Sequence, residues 1–75
     1  MEGELQRALG ASLKTIRRER RLSQEEFAEA LDVHRTYIGG LERGERNLTL
    51  RSVERIAERL GVSPLSLLQD PEERS

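Results

Sequence analysis

Only two residues, Asp32 and Val33, separate an amphipathic segment that opens at Ser23 from another that runs to Arg43. Neither is Gly or Pro, so the chain turns between two helices with almost no slack. Helices this short gain most of their stability from packing an apolar stripe against neighbours. The flanking sequence supplies those neighbours. Leu5, Leu9, Leu13 and Ile16 lie on one stripe of a first helix, from about Glu4 to Arg20. In the second, Ser23 is an N-cap with Glu26 three residues on, a capping box, and Phe27, Ala30 and Leu31 form the inward face. A third, from about His34 to Arg43, carries Ile38 and Leu41 inward and stops at Gly44. Thr49 caps a fourth, with Leu50, Val53, Ile56, Ala57 and Leu60 as its stripe and Gly61 as its end. Ser63 and Pro64 open a short fifth that reaches about Gln69. No stretch alternates with period two. The expected fold is all-α: a five-helix bundle forming one domain over residues 1–75, with its core in 5–69 and a frayed tail at 70–75.

Composition excludes several classes. A chain of 75 residues without cysteine has neither a disulfide framework nor a thiolate metal site. No apolar run approaches the roughly 20 residues that span a bilayer, and the acidic N-terminus is unlike a secretory signal. A cytoplasmic, nucleoid-associated protein is expected. His34 has no second His or Cys to join it as a metal ligand. No cofactor, metal or small-molecule ligand is expected, and with no nucleophile partner for His34 neither is an enzyme. Net charge is −1, from 13 basic and 14 acidic residues. Both ends are acidic, and Leu5 to Gln69 holds 12 basic and 9 acidic residues. Any surface for a polyanion must therefore come from segregated charge. Arg outnumbers Lys 12 to 1, which suits bidentate contacts to phosphate or guanine as well as a GC-rich coding bias.

Two short helices joined by so brief a break describe a helix-turn-helix, whose second helix enters the DNA major groove N-terminus first. With Ile38 and Leu41 inward, Thr36, Gly39, Gly40 and Arg43 point away from the core, and Arg35 and Tyr37 flank them. Base contacts are expected from Arg35, Thr36 and Tyr37, with Tyr37 also placed to pack in the core. Gly39 and Gly40 each cost about 1 kcal/mol relative to Ala inside a helix. Either a neighbouring helix packs closely on them, or DNA approaches that face unobstructed.

The run SQEEFAEALDVHRTYIGGLERGERNLTL, with GVSPLSLL after it, resembles the Xre-type, lambdoid-repressor-like helix-turn-helix family over about residues 5–69. More narrowly, RTYIGGLERGERNLTL is similar to the controller proteins of restriction–modification systems. That resemblance implies that Gln24, with Ser23 beside it, contacts a phosphate. It implies that Arg43, Arg46 and Asn47 contact backbone or flanking bases, with Gly39 on the same outer face. It also implies a scaffold ion pair between Arg17 and Glu42. His34 stands where the family has a small or acidic residue, which bears on the target sequence and not on the fold.

One such module makes too few phosphate contacts for useful affinity at physiological salt, and pairing on two half-sites about 34 Å apart is the usual remedy. Val62, Leu65, Leu67 and Leu68 are too many large apolar residues for so short a helix to bury, so a homodimer interface is expected there. The alternative is that Val62, Leu65 and Leu68 close the core and leave Leu67 exposed. The function these readings support is a homodimeric regulator of transcription on a palindromic operator in double-stranded DNA. RNA polymerase is a further partner where operator position favours activation. An antitoxin or protein-interaction module on the same fold is the alternative.

Overall fold

The computed structural model describes residues 3–69. Five helices follow one another: α1 over Glu4–Glu19, α2 over Gln24–Leu31, α3 over Arg35–Glu42, α4 over Leu50–Leu60 and α5 over Pro64–Leu67. No strand occurs among the described residues, and the tail expected to fray lies outside them. Side chains start two of these helices. Ser23 accepts from the Glu26 backbone N–H at 3.0 Å, and the Glu26 carboxylate accepts from the Ser23 N–H at 2.8 Å. The same reciprocal pair joins Thr49 to Ser52 at the head of α4.

The four longer helices end alike, each in one residue of left-handed conformation, closed by a backbone bond from the sixth residue of the turn to the carbonyl of the first. Gly44 (φ 73°) and Gly61 (φ 72°) supply that conformation after α3 and α4. Arg21 (φ 58°) and Asp32 (φ 57°) supply it after α1 and α2. The closing bonds run from Leu22 N–H to the Arg17 carbonyl and from Val33 N–H to that of Ala28, both at 3.0 Å. This backbone device is how α2 passes to α3 without a glycine. It leaves Val33 packed against the core.

The core gathers Leu9, Leu13 and Ile16 of α1, Phe27 and Leu31 of α2, Ile38 and Leu41 of α3, Ile56 and Leu60 of α4, and Leu67 of α5. Burying each such side chain stabilises the fold by about 1.5–3 kcal/mol. Packing of α1 on α3 is closest at Gly10. A Cβ there would overlap the Leu41 carbonyl oxygen and lie 2.8 Å from that of Glu42. The Ser12 hydroxyl, fully buried, donates to the Gln69 carbonyl at 2.8 Å. Arg20 donates to the Leu60 carbonyl at 2.8 Å, satisfying a backbone acceptor at the end of α4.

Four apolar expectations are corrected. Ala28, not Ala30, is buried on α2, because α3 and α4 both pack on this helix and its inward face is centred between Phe27 and Leu31. Leu5 is 58% exposed and Leu50 80% exposed: each sits in the first turn of its helix, where the stripe runs on beyond the packed core. On α5 the order is reversed, Leu67 fully buried and Leu65 73% exposed. Residues two apart on a helix lie about 200° apart around its axis, so one turn cannot turn both inward. Leu67 therefore has no surface to offer a partner.

Candidate nucleic-acid interface

α3 is held from below and open above. Ile38 and Leu41 are buried, while Arg35 and Thr36 are exposed at its first turn. His34 is the N-cap residue and gives no side-chain hydrogen bond to the helix. The backbone N–H groups of Arg35 and Thr36 thus have no side-chain cap, and an anion is favoured at such a helix start. Gln24, at the N-terminus of α2, lines one shallow groove of about 270 Å³ together with Arg35, Thr36, Gly39 and Arg43 of α3 and its C-cap. Five of the residues that the sequence singles out thus come together on one surface.

The atoms nearest the outer faces of the two glycines belong to no neighbouring helix. Gly39 and Gly40 are buried beneath two arginines from the end of their own segment. A Cβ on Gly39 would meet an Arg43 guanidinium nitrogen at 3.2 Å, and one on Gly40 would meet Arg46 Nε at 2.7 Å. Arg46 also stacks over Tyr37, its guanidinium carbon 5.5 Å from the ring centre, a cation–π contact. Tyr37 is half-buried and packs against the core, the second of the two roles open to it. Arg43 Nε is 3.0 Å from a Glu45 carboxylate oxygen, both side chains well exposed; such a pair contributes little and is readily exchanged. Asn47 is exposed in the loop after α3, and Ser23 is exposed but engaged in the capping box.

Arg17 and Glu42 form the expected pair. Arg17 Nε and Nη2 donate to the two carboxylate oxygens at 2.7 and 3.2 Å, and Nη1 donates to the Leu22 carbonyl at 3.0 Å. The Glu42 side chain is only 4% exposed. A buried carboxylate with a bidentate guanidinium is retained because removing either partner leaves the other charge unpaired. Gln24 Nε2 donates to the same Glu42 oxygen at 3.1 Å, a bond the sequence reading missed because its partners are 18 residues apart and meet only when α2 and α3 pack. Gly10 was missed too, although a glycine within an amphipathic helix signals close approach. Among the described residues no cluster of three His, Cys, Asp or Glu side chains is placed to hold a metal, and no helix is long and apolar enough to cross a membrane.

A helix-turn-helix family model matches residues 13–67. The chain belongs to the helix-turn-helix family. It is similar to control protein C.BamHI of Bacillus amyloliquefaciens, 41% identical over 69 residues that cover 91% of this chain and 85% of that one. Among solved structures it is similar to the hypothetical transcription factor NHTF from Neisseria, with a TM-score of 0.82, 36% identity, and 93% and 80% of the two chains covered. It is likewise similar to the restriction–modification controller protein C.Esp1396I, solved as a tetramer with its 35 base-pair operator (TM-score 0.71, 40% identity, 84% and 83% covered). This helix-turn-helix chain has its matched segment running from Leu13 in α1 to Leu67 in α5, so the family pattern takes in the groove, the Arg17–Glu42 pair and the buried end of α5.

Away from the groove, a second, apolar surface is lined by Leu5, Leu48, Leu50, Val53 and Leu68 around a recess of about 180 Å³. Val62 and Leu68 are half-buried against the core, and Leu65 projects from α5.

Proposed function

We propose that this protein is a sequence-specific regulator of transcription that binds double-stranded DNA as a homodimer on a palindromic operator. The observation that carries the reading is the groove that joins Gln24 at the head of α2 to Arg35, Thr36, Gly39 and Arg43 along α3. In it, a phosphate at the head of α2 and base edges along α3 are met by one rigid surface. Arg35 pairs with a guanine, and Thr36 and Tyr37 read its neighbours. Gln24, Ser23, Gly39, Arg43, Arg46 and Asn47 hold the backbone and flanking positions. The likeness to controller proteins, one of them solved on its operator, supports assignment to that class, with RNA polymerase as the further partner where the bound site favours activation. Residues 5–69 act as one domain, in the cytoplasm with the DNA, and the role is binding and not catalysis.

The exposed leucines support a revised dimer surface. Among the described residues, Leu5, Leu50 and Leu65 are the large apolar side chains left open; Leu5 and Leu50, with Leu48 and Leu68 of the same recess, join Val62 and Leu65 in the interface in place of Leu67. Three such residues on so small a fold favour coverage by a second copy. Footprinting on the DNA upstream of the protein's own gene tests the reading as a whole. Arg35→Ala is then expected to lose about 1–3 kcal/mol of discrimination at one base pair in each half-site, and unchanged specificity would refute the assignment of α3. Leu50→Glu and Leu65→Glu are expected to give monomers by light scattering; dimers that persist in both would remove this surface.

A further inference from the structure

We infer that Glu42 is a positioning residue for DNA recognition: it holds the Gln24 amide in the one orientation that presents an N–H to a phosphate. The inference rests on the reading of the groove as a DNA-binding surface. An ionised carboxylate only accepts hydrogen bonds, so the Gln24 group facing Glu42 must be its NH2. Glu42 Oε1 takes that bond at 3.1 Å while also accepting Arg17 Nη2 at 3.2 Å. Arg17 is in turn fixed by Glu42 Oε2 and by the Leu22 carbonyl. The chain of contacts thus starts at the C-terminal end of α1, crosses the end of α3 and ends on the first residue of α2. Only one of the two Gln24 amide protons is used. The other remains on a half-buried side chain that lines the groove with Arg35, Thr36, Gly39 and Arg43.

Two consequences follow from the chemistry of the group. A free glutamine side chain rotates among several staggered states, and its terminal amide presents either oxygen or nitrogen. An oxygen facing a phosphate is repelled, so locking the nitrogen in place before DNA arrives removes both an ordering penalty and a wrong state. Glu42 itself carries a negative charge toward a polyanion, which the bidentate Arg17 neutralises. The same carboxylate can therefore orient a phosphate donor without repelling the phosphate.

The test begins with the unmodified protein. The two side-chain amide protons of Gln24, identified by their loss in Gln24→Ala, are followed by proton–nitrogen correlation spectra. A duplex spanning the footprinted sequence is then added. The inference expects the proton bonded to Glu42 to keep its shift while its geminal partner moves. Release of the Glu42-bonded proton on binding would overturn the inference, as would shifts along α3 with both Gln24 protons unmoved. No shift anywhere on any duplex would overturn the DNA-binding reading and this one with it. A double-mutant cycle gives an independent check. Gln24→Ala is expected to weaken binding about tenfold or more per half-site, the worth of one hydrogen bond to a charged group. Glu42→Ala, confirmed folded by its melting curve, is expected to weaken the unmodified protein measurably but by less than that, and to add nothing to Gln24→Ala. Losses that multiply would mean that Glu42 acts on the fold alone.

Discussion

Gly10 in α1 and the pair Gly39–Gly40 in α3 occupy the middle of amphipathic helices, and all three are buried, yet what covers them differs in kind. Over Gly10 lie the carbonyl oxygens of Leu41 and Glu42, part of the α3 backbone itself. Over Gly39 and Gly40 lie the side chains of Arg43 and Arg46, which have many rotamers and water nearby. A backbone cannot step aside without moving a helix, whereas an arginine can. The first glycine sets where α3 sits relative to α1. The other two give a resting place to side chains assigned to DNA backbone or flanking contacts.

The sharpest way to break this comparison is Gly10→Ala. Alanine is the better helix former by about 1 kcal/mol, but the methyl group must displace α3, and overpacking of this kind costs about 1–3 kcal/mol or more. A fall in melting temperature of several degrees is expected by calorimetry or circular dichroism; an unchanged or higher value would mean the crossing is slack. Gly40→Ala comes next. Its methyl meets Arg46 Nε and the atoms before it, so Arg46 shifts off Tyr37, losing a contact of about 0.5–1 kcal/mol while the helix gains about as much. Melting within about 1 kcal/mol of the parent and weaker operator binding are expected. Gly39→Ala, which meets only the tip of Arg43, is expected to raise the melting temperature. A loss of stability at either position as large as at Gly10 would erase the distinction.

The smallest expected effect lies at the start of α2. The backbone N–H of Ser23, with a further contribution from its side chain, holds the Glu26 carboxyl below its ordinary pKa of 4.5. A group whose pKa is lower in the folded state contributes stability above the unfolded value and loses it as pH falls through the folded value. Glu26→Gln is expected to flatten a slight decline in stability below about pH 4.5, read from melting curves between pH 3 and 6. An identical decline in both proteins would mean the capping box contributes no pH dependence.

Helix starts were legible because Ser23, Thr49 and the Ser63–Pro64 pair are local signals, and ends at Gly44 and Gly61 were legible for the same reason. The ends at Arg21 and Asp32 carry no such residue, and only backbone bonding reveals their left-handed turns. Periodicity identified Leu9, Leu13, Ile16, Phe27, Leu31, Ile38, Leu41, Ile56 and Leu60 as core, but it says nothing of where a core stops, which is why Leu5 and Leu50 were misplaced. A single turn has too few residues to show a period, so Leu65 and Leu67 were indistinguishable. Gathering Gln24, Arg35, Thr36, Gly39 and Arg43 followed from the helix-turn-helix pattern. The Gln24–Glu42 bond and the Arg46–Tyr37 stack depend on how separate segments meet in space, and no spacing within either segment encodes them.

The bond from Ser12 to the Gln69 carbonyl joins residues 57 positions apart, and Leu67 enters the same core beside α1. The helices of the turn, by contrast, are neighbours in sequence. α5 is therefore tied to both halves of the bundle, to α4 through the three residues 61–63 and to α1 through the Ser12 bond and Leu67. Leu65 rides on that element. Pairing of two copies through it would then couple dimerisation to the closure of α5 on α1, and the melting temperature would rise as the protein becomes more concentrated.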